Sequence, residues 1–366
     1  MDRPPRGRWL RHTVALEEGG NTVQEVIQGM GISRRMIQRL TRSRGIQLND
    51  RVPYLKRKVR EGDVLAVRVG GEERATLLPV EMDLEVVFED ADLLLLNKPA
   101  GLLVHPTSPS HQRTLSHGIA RRYLDQGLEL RVRPVHRLDR ETSGLLLVAK
   151  SAYSHQHLDR QLRDGAILRE YLALVEGRVE SGGVIDAPIS RSSGKLPKGA
   201  VSESGRPART HFWVEERFAA TTLIRARLES GRTHQLRIHL AHVGHPVAGD
   251  RRYGSGASAV PERTMLHAWR IAFDRPVSGE RLTFEVAPPE EMRLLLERLR
   301  NASAPTGSGE ADDHTLEKHD RKEGGDGGEI DPAREGQHFR DRTEDRIREP
   351  ADQLNERIPR DRRDEP

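Results

Sequence analysis

Asp139 stands in "VHRLDRETSGLLLVAK", Val135 to Lys150, between Arg137 and Arg140 and shortly after His136. Cationic neighbours favour the ionised form of a carboxylate, the state needed of a nucleophile or a general base. The same arrangement also suits a structural Asp–Arg pair, so the segment by itself leaves both roles open. Thr142, Ser143 and Gly144 form a turn before "LLLVAK", whose unbroken apolar character suits a strand buried on both faces. Asp139 is therefore expected on a loop fixed by a rigid strand, where functional residues concentrate.

Two more segments are dense in polar groups. In "LESGRTHQLRIHLAHVGHPVAGDRRYG", Leu228 to Gly254, a strand is expected to end at Gly231. Arg232, Thr233, His234, Gln235 and Arg237 then crowd the start of a helix. Helix N-termini attract anions, and the arginines add to that. His239, His242 and His245 invite a zinc reading, but the H-E-x-x-H spacing and cysteine are absent and no acidic ligand stands among them. Capping, packing or phosphate contact is the expectation for these histidines, and no metal. In "ILREYLALVEG", Tyr171 enters an apolar strand just after Arg169 and Glu170. A core tyrosine with a satisfied hydroxyl and a ring offered to a flipped base both fit. Ser143 is not in a G-x-S-x-G elbow, since Glu141 stands two before it, and there is no phosphate loop or convincing dinucleotide fingerprint. No cofactor is implied.

The elements that position these groups fall in four stretches. Residues 1–60 hold 14 Lys and Arg against 5 Asp and Glu, an excess of nine in a chain of 366 residues whose net charge is +4. That concentration favours a polyanionic partner. No apolar run approaches the roughly 20 residues that span a bilayer, there is no secretory signal, and cysteine is absent, so a cytoplasmic protein without a membrane partner is expected. Residues 1–12 read as a basic disordered arm. From 13 to 75, "NTVQEVIQGM" predicts a helix capped by Asn21 or Thr22, and "ISRRMIQRLTRSRG" a second one. Ser33 would cap the second helix, Met36, Ile37 and Leu40 would bury, and Gly45 would end it. Its other face carries Arg34, Arg35, Arg39 and Arg42, with Arg44 following, and short strands come after. Residues 82–300 interleave strands and helices, as one large α+β domain does. Beyond 301 the only aromatic residue is Phe339, and the charged composition predicts a disordered tail.

Helix–helix–strand with "SRR…IQRL" resembles the alpha-L RNA-binding module of ribosomal small-subunit protein four. From Val86 to Pro289 the chain resembles the RluA/RluD type of pseudouridine synthases. "NKPAGLLVHP", "HRLDRETSGLLLVAK", "REYLALVEG", "GRTHQLRIHL" and "LHAWRIAF" occur in that family's order, with Arg169 standing where the family more often has Lys.

The resemblance implies a pseudouridine synthase fold, a mixed and largely antiparallel sheet flanked by helices. It implies Asp139 as the catalytic aspartate, attacking the nucleotide or removing a sugar proton. It further implies Arg232 as the arginine paired with Asp139, Tyr171 stacked on the target base, and Arg137 filling the gap left by the flipped uridine. His136, Arg140, Thr142, His234, Gln235 and Arg237 are expected around the substrate. A monomer acting on RNA without cofactor follows, with large-subunit ribosomal RNA the first expectation and transfer RNA the alternative. A non-catalytic RNA-binding or ribosome-associated factor gives no reason for Asp139 amid arginines. A hydrolase of RNA phosphodiesters would need paired histidines or clustered carboxylates.

Overall fold

Thr22 opens the first helix. Its hydroxyl accepts from the Glu25 amide at 3.2 Å, and the Glu25 carboxylate returns to the Thr22 amide at 2.7 Å, so two otherwise orphaned amides are satisfied. The computed structural model describes residues 8–70, 77–108, 110–190, 199–255 and 263–303. Helix α1 spans Val23–Gly29 and α2 spans Arg34–Arg42. Ser33 caps α2, its hydroxyl accepting from the Met36 amide at 3.3 Å. The expected stop at Gly45 comes one residue early. Arg44 takes the left-handed conformation, with φ of 51°, and the Gly45 amide returns to the Leu40 carbonyl at 2.7 Å. Arg34, Arg35, Arg39, Arg42 and Arg44 are all exposed, while Met36, Ile37 and Leu40 are buried.

These helices cover a three-stranded antiparallel sheet, β1 (Trp9–Thr13), β2 (Ile46–Leu48) and β3 (Val64–Arg68), ordered β1-β3-β2. The basic arm expected over residues 1–12 is thus corrected at its end. Trp9 pairs with Arg68 and Thr13 with Val64, because the stretch "WLRHT" gains a ladder from a strand far downstream. Residues 1–7 lie outside the described part.

A second sheet of ten strands carries the rest. Its path runs β4 (Glu85–Glu89), β5 (Leu93–Lys98), β7 (Ser143–Ala149), β12 (Leu266–Asp274), β8 (Leu168–Glu176), β11 (Thr221–Leu228), β10 (Arg209–Arg217) and β9 (Gly183–Asp186). The short β6 (Arg133–Pro134) pairs with β7, and β13 (Arg281–Glu285) with β12. Strands β7 and β12 run parallel, through His267 with Ser143 and Ala268 with Gly144, and the other neighbours in this sheet are antiparallel. Gly144 is required at that junction. Its φ is +109°, and a Cβ would stand 2.2 Å from the Ala268 carbonyl oxygen.

Alternation along β5 and β7 sorts the core into two layers. Leu94, Leu96, Leu146 and Val148 pack with Ile119 and Tyr123 of α3 (Leu115–Asp125) and with Leu236 and Leu240 of α5 (Gln235–His242). Leu93, Leu95, Leu145 and Leu147 pack on the other side with Leu158 of α4 (Ala152–Arg163). Helix α6 (Glu290–Ser303) lays Met292 and Leu296 against Leu174 and Phe218. It carries the ordered chain past the expected boundary at 301, and residues 304–366 of the expected tail lie outside the described part.

The N-terminal sheet and helices are docked on α4. Tyr153 belongs to the same apolar cluster as Val23, Ile27 and Met36. The Gly31 carbonyl accepts from Gln156 Nε2 at 2.6 Å and from Arg160 Nη2 at 2.8 Å. The Ser33 amide donates to Gln156 Oε1 at 3.1 Å, and Arg8 pairs with Asp92 at 2.7 Å.

Candidate active site

Asp139 lies on the loop between β6 and β7, and that loop is pinned from several sides. The Thr142 amide closes it on the Asp139 carbonyl at 3.2 Å, and the Val135 amide ties its start to Leu147 at 2.8 Å. Arg263 Nη1 donates to the Glu141 carbonyl at 3.2 Å. Lys98, at the end of β5, holds it from below: its ammonium donates to the carbonyls of Pro99 at 2.7 Å, Leu102 at 2.9 Å and Arg140 at 3.0 Å. Burial pulls the Lys98 pKa down to about 7, against the opposing pull of Glu141 and Asp139. Sequence reasoning passes over Lys98. The signal that could have found it is a lysine two residues after a run of four leucines and directly before Pro-Ala-Gly, where a cation must bury.

The pairing expected between Arg232 and Asp139 is not the one formed. Arg237 Nη1 donates to Asp139 Oδ2 at 3.1 Å, while Arg232 Nε donates to the Pro207 carbonyl at 2.9 Å. The start of α5 explains the exchange. Gln235 Oε1 accepts from the Arg232 amide at 3.0 Å, fixing Arg232 in the preceding loop, and Arg237 in the first helical turn faces the carboxylate. Arg237 also makes a bidentate pair with Asp250, Nε to Oδ2 at 2.6 Å and Nη2 to Oδ1 at 2.8 Å. Burial works against the Arg237 charge, but the two carboxylates outweigh it and raise its pKa further. For Asp250, burial pushes upward while Arg237 and the amides of Arg252 and Tyr253 pull its pKa below the usual carboxylate value.

His234 caps α5 with an unusual backbone, φ 57° and ψ 23°, a left-handed strain that a non-glycine residue keeps only where the surroundings hold it. Its Nδ1 lies 3.0 Å from the Tyr253 hydroxyl and its Nε2 3.8 Å from Asp139 Oδ1. Burial lowers the His234 pKa, Asp139 opposes, and Arg237 and Arg252 add to the lowering. Tyr171 is buried on β8 beside Ala226 and Ala268. Burial raises its pKa, and Asp139 adds to the rise while Arg169 opposes it.

Other expected substrate contacts are spent inside the protein. Gln235 is buried, with Oε1 taken by Ser230 Oγ as well as the Arg232 amide, and Nε2 donating to the Arg209 carbonyl and Thr210 Oγ1. Thr142 is buried in the turn. Arg140 reaches the Gly101 carbonyl at 2.9 Å, and its ion-pair neighbour is Glu141 rather than Asp139. His136 is buried, its Nε2 accepting from the Leu147 amide at 3.2 Å. Burial and then Arg169 push its pKa down to about 3, so it is neutral and supplies no positive charge to Asp139. Of the histidines weighed for zinc, His239 bridges Thr210 Oγ1 and the Ala187 carbonyl, each at 2.9 Å, and His245 faces the Glu176 carbonyl at 3.0 Å. Among the described residues no three His, Asp or Glu side chains are placed to hold a metal ion.

A cavity of about 560 Å³ is bordered by Arg137, Arg206, Arg232, His234, Arg252 and Tyr253, and its His234 is the residue 3.8 Å from Asp139 Oδ1. A cleft lined by arginines, with a fixed carboxylate behind its His234 wall, suits a polyanion presented to an anionic reacting group. Among the described residues no helix is long and apolar enough to cross a membrane.

Residues 92–242 match the family described as RNA pseudouridylate synthase. A Nitrosomonas europaea protein, ribosomal large subunit pseudouridine synthase D, is 40% identical over 278 residues, 74% of this chain and 81% of its own length. The Escherichia coli protein of the same name is 34% identical over 307 residues, 80% of this chain and 94% of its own. The Bacillus subtilis uncharacterized RNA pseudouridine synthase YlyB is 39% identical over 272 residues, 73% of this chain and 90% of its own. The solved structure of human RNA pseudouridylate synthase domain containing 4 shares the fold, with a TM-score of 0.50 at 22% identity over 59% of this chain and 93% of that one. The chain belongs to the RNA pseudouridylate synthase family, isomerases that act on RNA.

Proposed function

We propose that the chain converts specific uridines of large-subunit ribosomal RNA to pseudouridine, with Asp139 as the reacting carboxylate. The observation that carries this reading is Asp139 Oδ2 held by Arg237, with Oδ1 3.8 Å from His234, a residue that lines the arginine-rich cavity. The reaction breaks the bond from C1′ to N1, turns the uracil, joins C1′ to C5 and releases the C5 proton. Both routes open to a carboxylate, attack on the sugar carbon and removal of a sugar proton, need an anionic oxygen fixed beside the sugar. A base inside a helix is out of reach, so the uridine leaves its stack. Arg137 at the cavity rim is the residue proposed to fill the space left behind, and Tyr171 the ring beneath the base. Ribosomal RNA is favoured over transfer RNA by the names of the relatives from Nitrosomonas and Escherichia.

The N-terminal sheet and helices are proposed as an alpha-L RNA-binding module that grips phosphates with the exposed face of α2. Its support is the exposure of Arg34, Arg35, Arg39, Arg42 and Arg44 on one capped element. A monomer working in the cytoplasm, where ribosomes assemble, completes the proposal.

The test is release of tritium from transcripts labelled at carbon five of uridine. Asp139→Asn is expected to lower the rate by at least about 1000-fold while RNA binding persists, since affinity rests on phosphate contacts. Turnover near the wild-type rate would remove Asp139 from the chemistry. Mapping the modified positions in a strain lacking the protein then separates ribosomal from transfer RNA.

A further inference from the structure

The turn Gly249 to Gly254, G-D-R-R-Y-G, has no part in the proposed chemistry, yet its Asp250 is the most enclosed carboxylate near the cleft. The Asp250 side chain is fully buried. Besides the bidentate pair with Arg237, its Oδ1 accepts from the amides of Arg252 at 2.9 Å and Tyr253 at 3.1 Å. The turn closes tightly behind it: the Gly254 amide donates to the Asp250 carbonyl at 2.8 Å, and a Cβ on Gly254 would stand 2.4 Å from that oxygen.

Two arms lead from this carboxylate to Asp139. Along the first, Arg237 is locked by Asp250 and gives its remaining Nη1 to Asp139 Oδ2 at 3.1 Å. Along the second, Tyr253 is placed through its own amide and sets its hydroxyl 3.0 Å from His234 Nδ1, with His234 Nε2 3.8 Å from Asp139 Oδ1. The Arg252 guanidinium carbon stands 5.7 Å from the centre of the Tyr253 ring.

We propose that Asp250 is a positioning residue for the isomerisation, setting both oxygens of Asp139 through Arg237 on one side and the Tyr253–His234 pair on the other. This rests on Asp139 being the reacting group. The two arms are unequal, and that inequality selects an oxygen. Oδ2 is held by a charged donor at hydrogen-bond distance, whereas 3.8 Å exceeds a hydrogen bond. Oδ1 is therefore the oxygen left to meet the sugar, with the His234 ring beside it.

Tritium release measured for Asp139→Asn, Asp250→Asn and Tyr253→Phe, with melting temperatures, decides the matter. Asp250→Asn keeps the shape and removes the charge that locks Arg237, and should lower kcat about 100-fold with KM changed less than about threefold. Tyr253→Phe keeps the ring, drops only the hydroxyl, and should lower kcat about tenfold at an unchanged melting temperature. Loss of packing alone would not split kcat from KM in this way. If Asp250→Asn fails to fold, Tyr253→Phe decides, and a wild-type kcat there, or a change confined to KM, overturns the proposal. A wild-type kcat in a folded Asp250→Asn protein also overturns it. Should Asp139→Asn itself turn over, the assignment of Asp139 falls first; should it be inactive while both other variants run normally, only the role of Asp250 falls.

Discussion

Arg237 and Arg34 carry the same charge in opposite settings. The Arg237 side chain is only 10% exposed and spends its donors on two carboxylates. Arg34 begins α2 open to solvent. A cation stripped of water must be paired, and the pairing fixes its direction, so Arg237 can aim a second group. A hydrated cation on a helix surface stays mobile and adds field more than geometry. The cleft uses arginine for position and the α2 face offers it for attraction.

Arg237→Ala should break that contrast most severely. It leaves Asp250 buried without its partner, a loss of about 3–5 kcal/mol, and it frees Asp139, so the rate should fall by about 1000-fold. Urea denaturation beside tritium release checks both. A variant with wild-type stability would mean that the pair carries no structural weight.

A middle-sized effect concerns His136, buried and neutral within the loop that carries Asp139. Its pKa in the folded protein is about 3 against an ordinary 6.5. The unfolded chain therefore binds more protons between those values, and stability present above about pH 6.5 is lost as pH falls toward about 3. His136→Gln cannot titrate, so its stability should decline less steeply over that window. Parallel acid-unfolding curves for the two proteins would contradict the assignment.

The smallest effect per residue belongs to the module. Replacing Arg34, Arg35 and Arg42 with Ala should leave the melting temperature and the rate on a short stem-loop unchanged. On full-size RNA the slope of log affinity against log salt should fall by roughly 0.7 to 0.9 for each phosphate that an arginine no longer neutralises. An unchanged slope would mean that this face does not grip RNA.

What the sequence disclosed follows the range of the interaction. The caps at Thr22 and Ser33 lie within three residues of their partners, and the buried strand Ser143–Ala149 announces itself by unbroken apolar character. Asp139, Arg237, His234 and Gln235 all stand out in the sequence, but their pairing does not. Which arginine meets Asp139 depends on where α5 begins and which side chain Gln235 holds back, and the partners are 98 residues apart. Lys98 hides behind a leucine run, and Asp250 and Tyr253 show their purpose only when the turn folds onto α5. The strand Trp9–Thr13 escapes for a related cause: a short mixed stretch becomes a strand only when β3 arrives beside it.

The seam between the N-terminal module and α4 bears on how such proteins are cut and recombined. A domain joined by a linker can be exchanged like a tool on a handle. Here Tyr153 fills the module's interior, and Gln156 and Arg160 close on the Gly31 carbonyl. Trimming the chain at residue 75 would strand that tyrosine in water, and grafting a foreign module would require carrying the face of α4 with it. The reach from α2 to Asp139 is accordingly a fixed span rather than a tether.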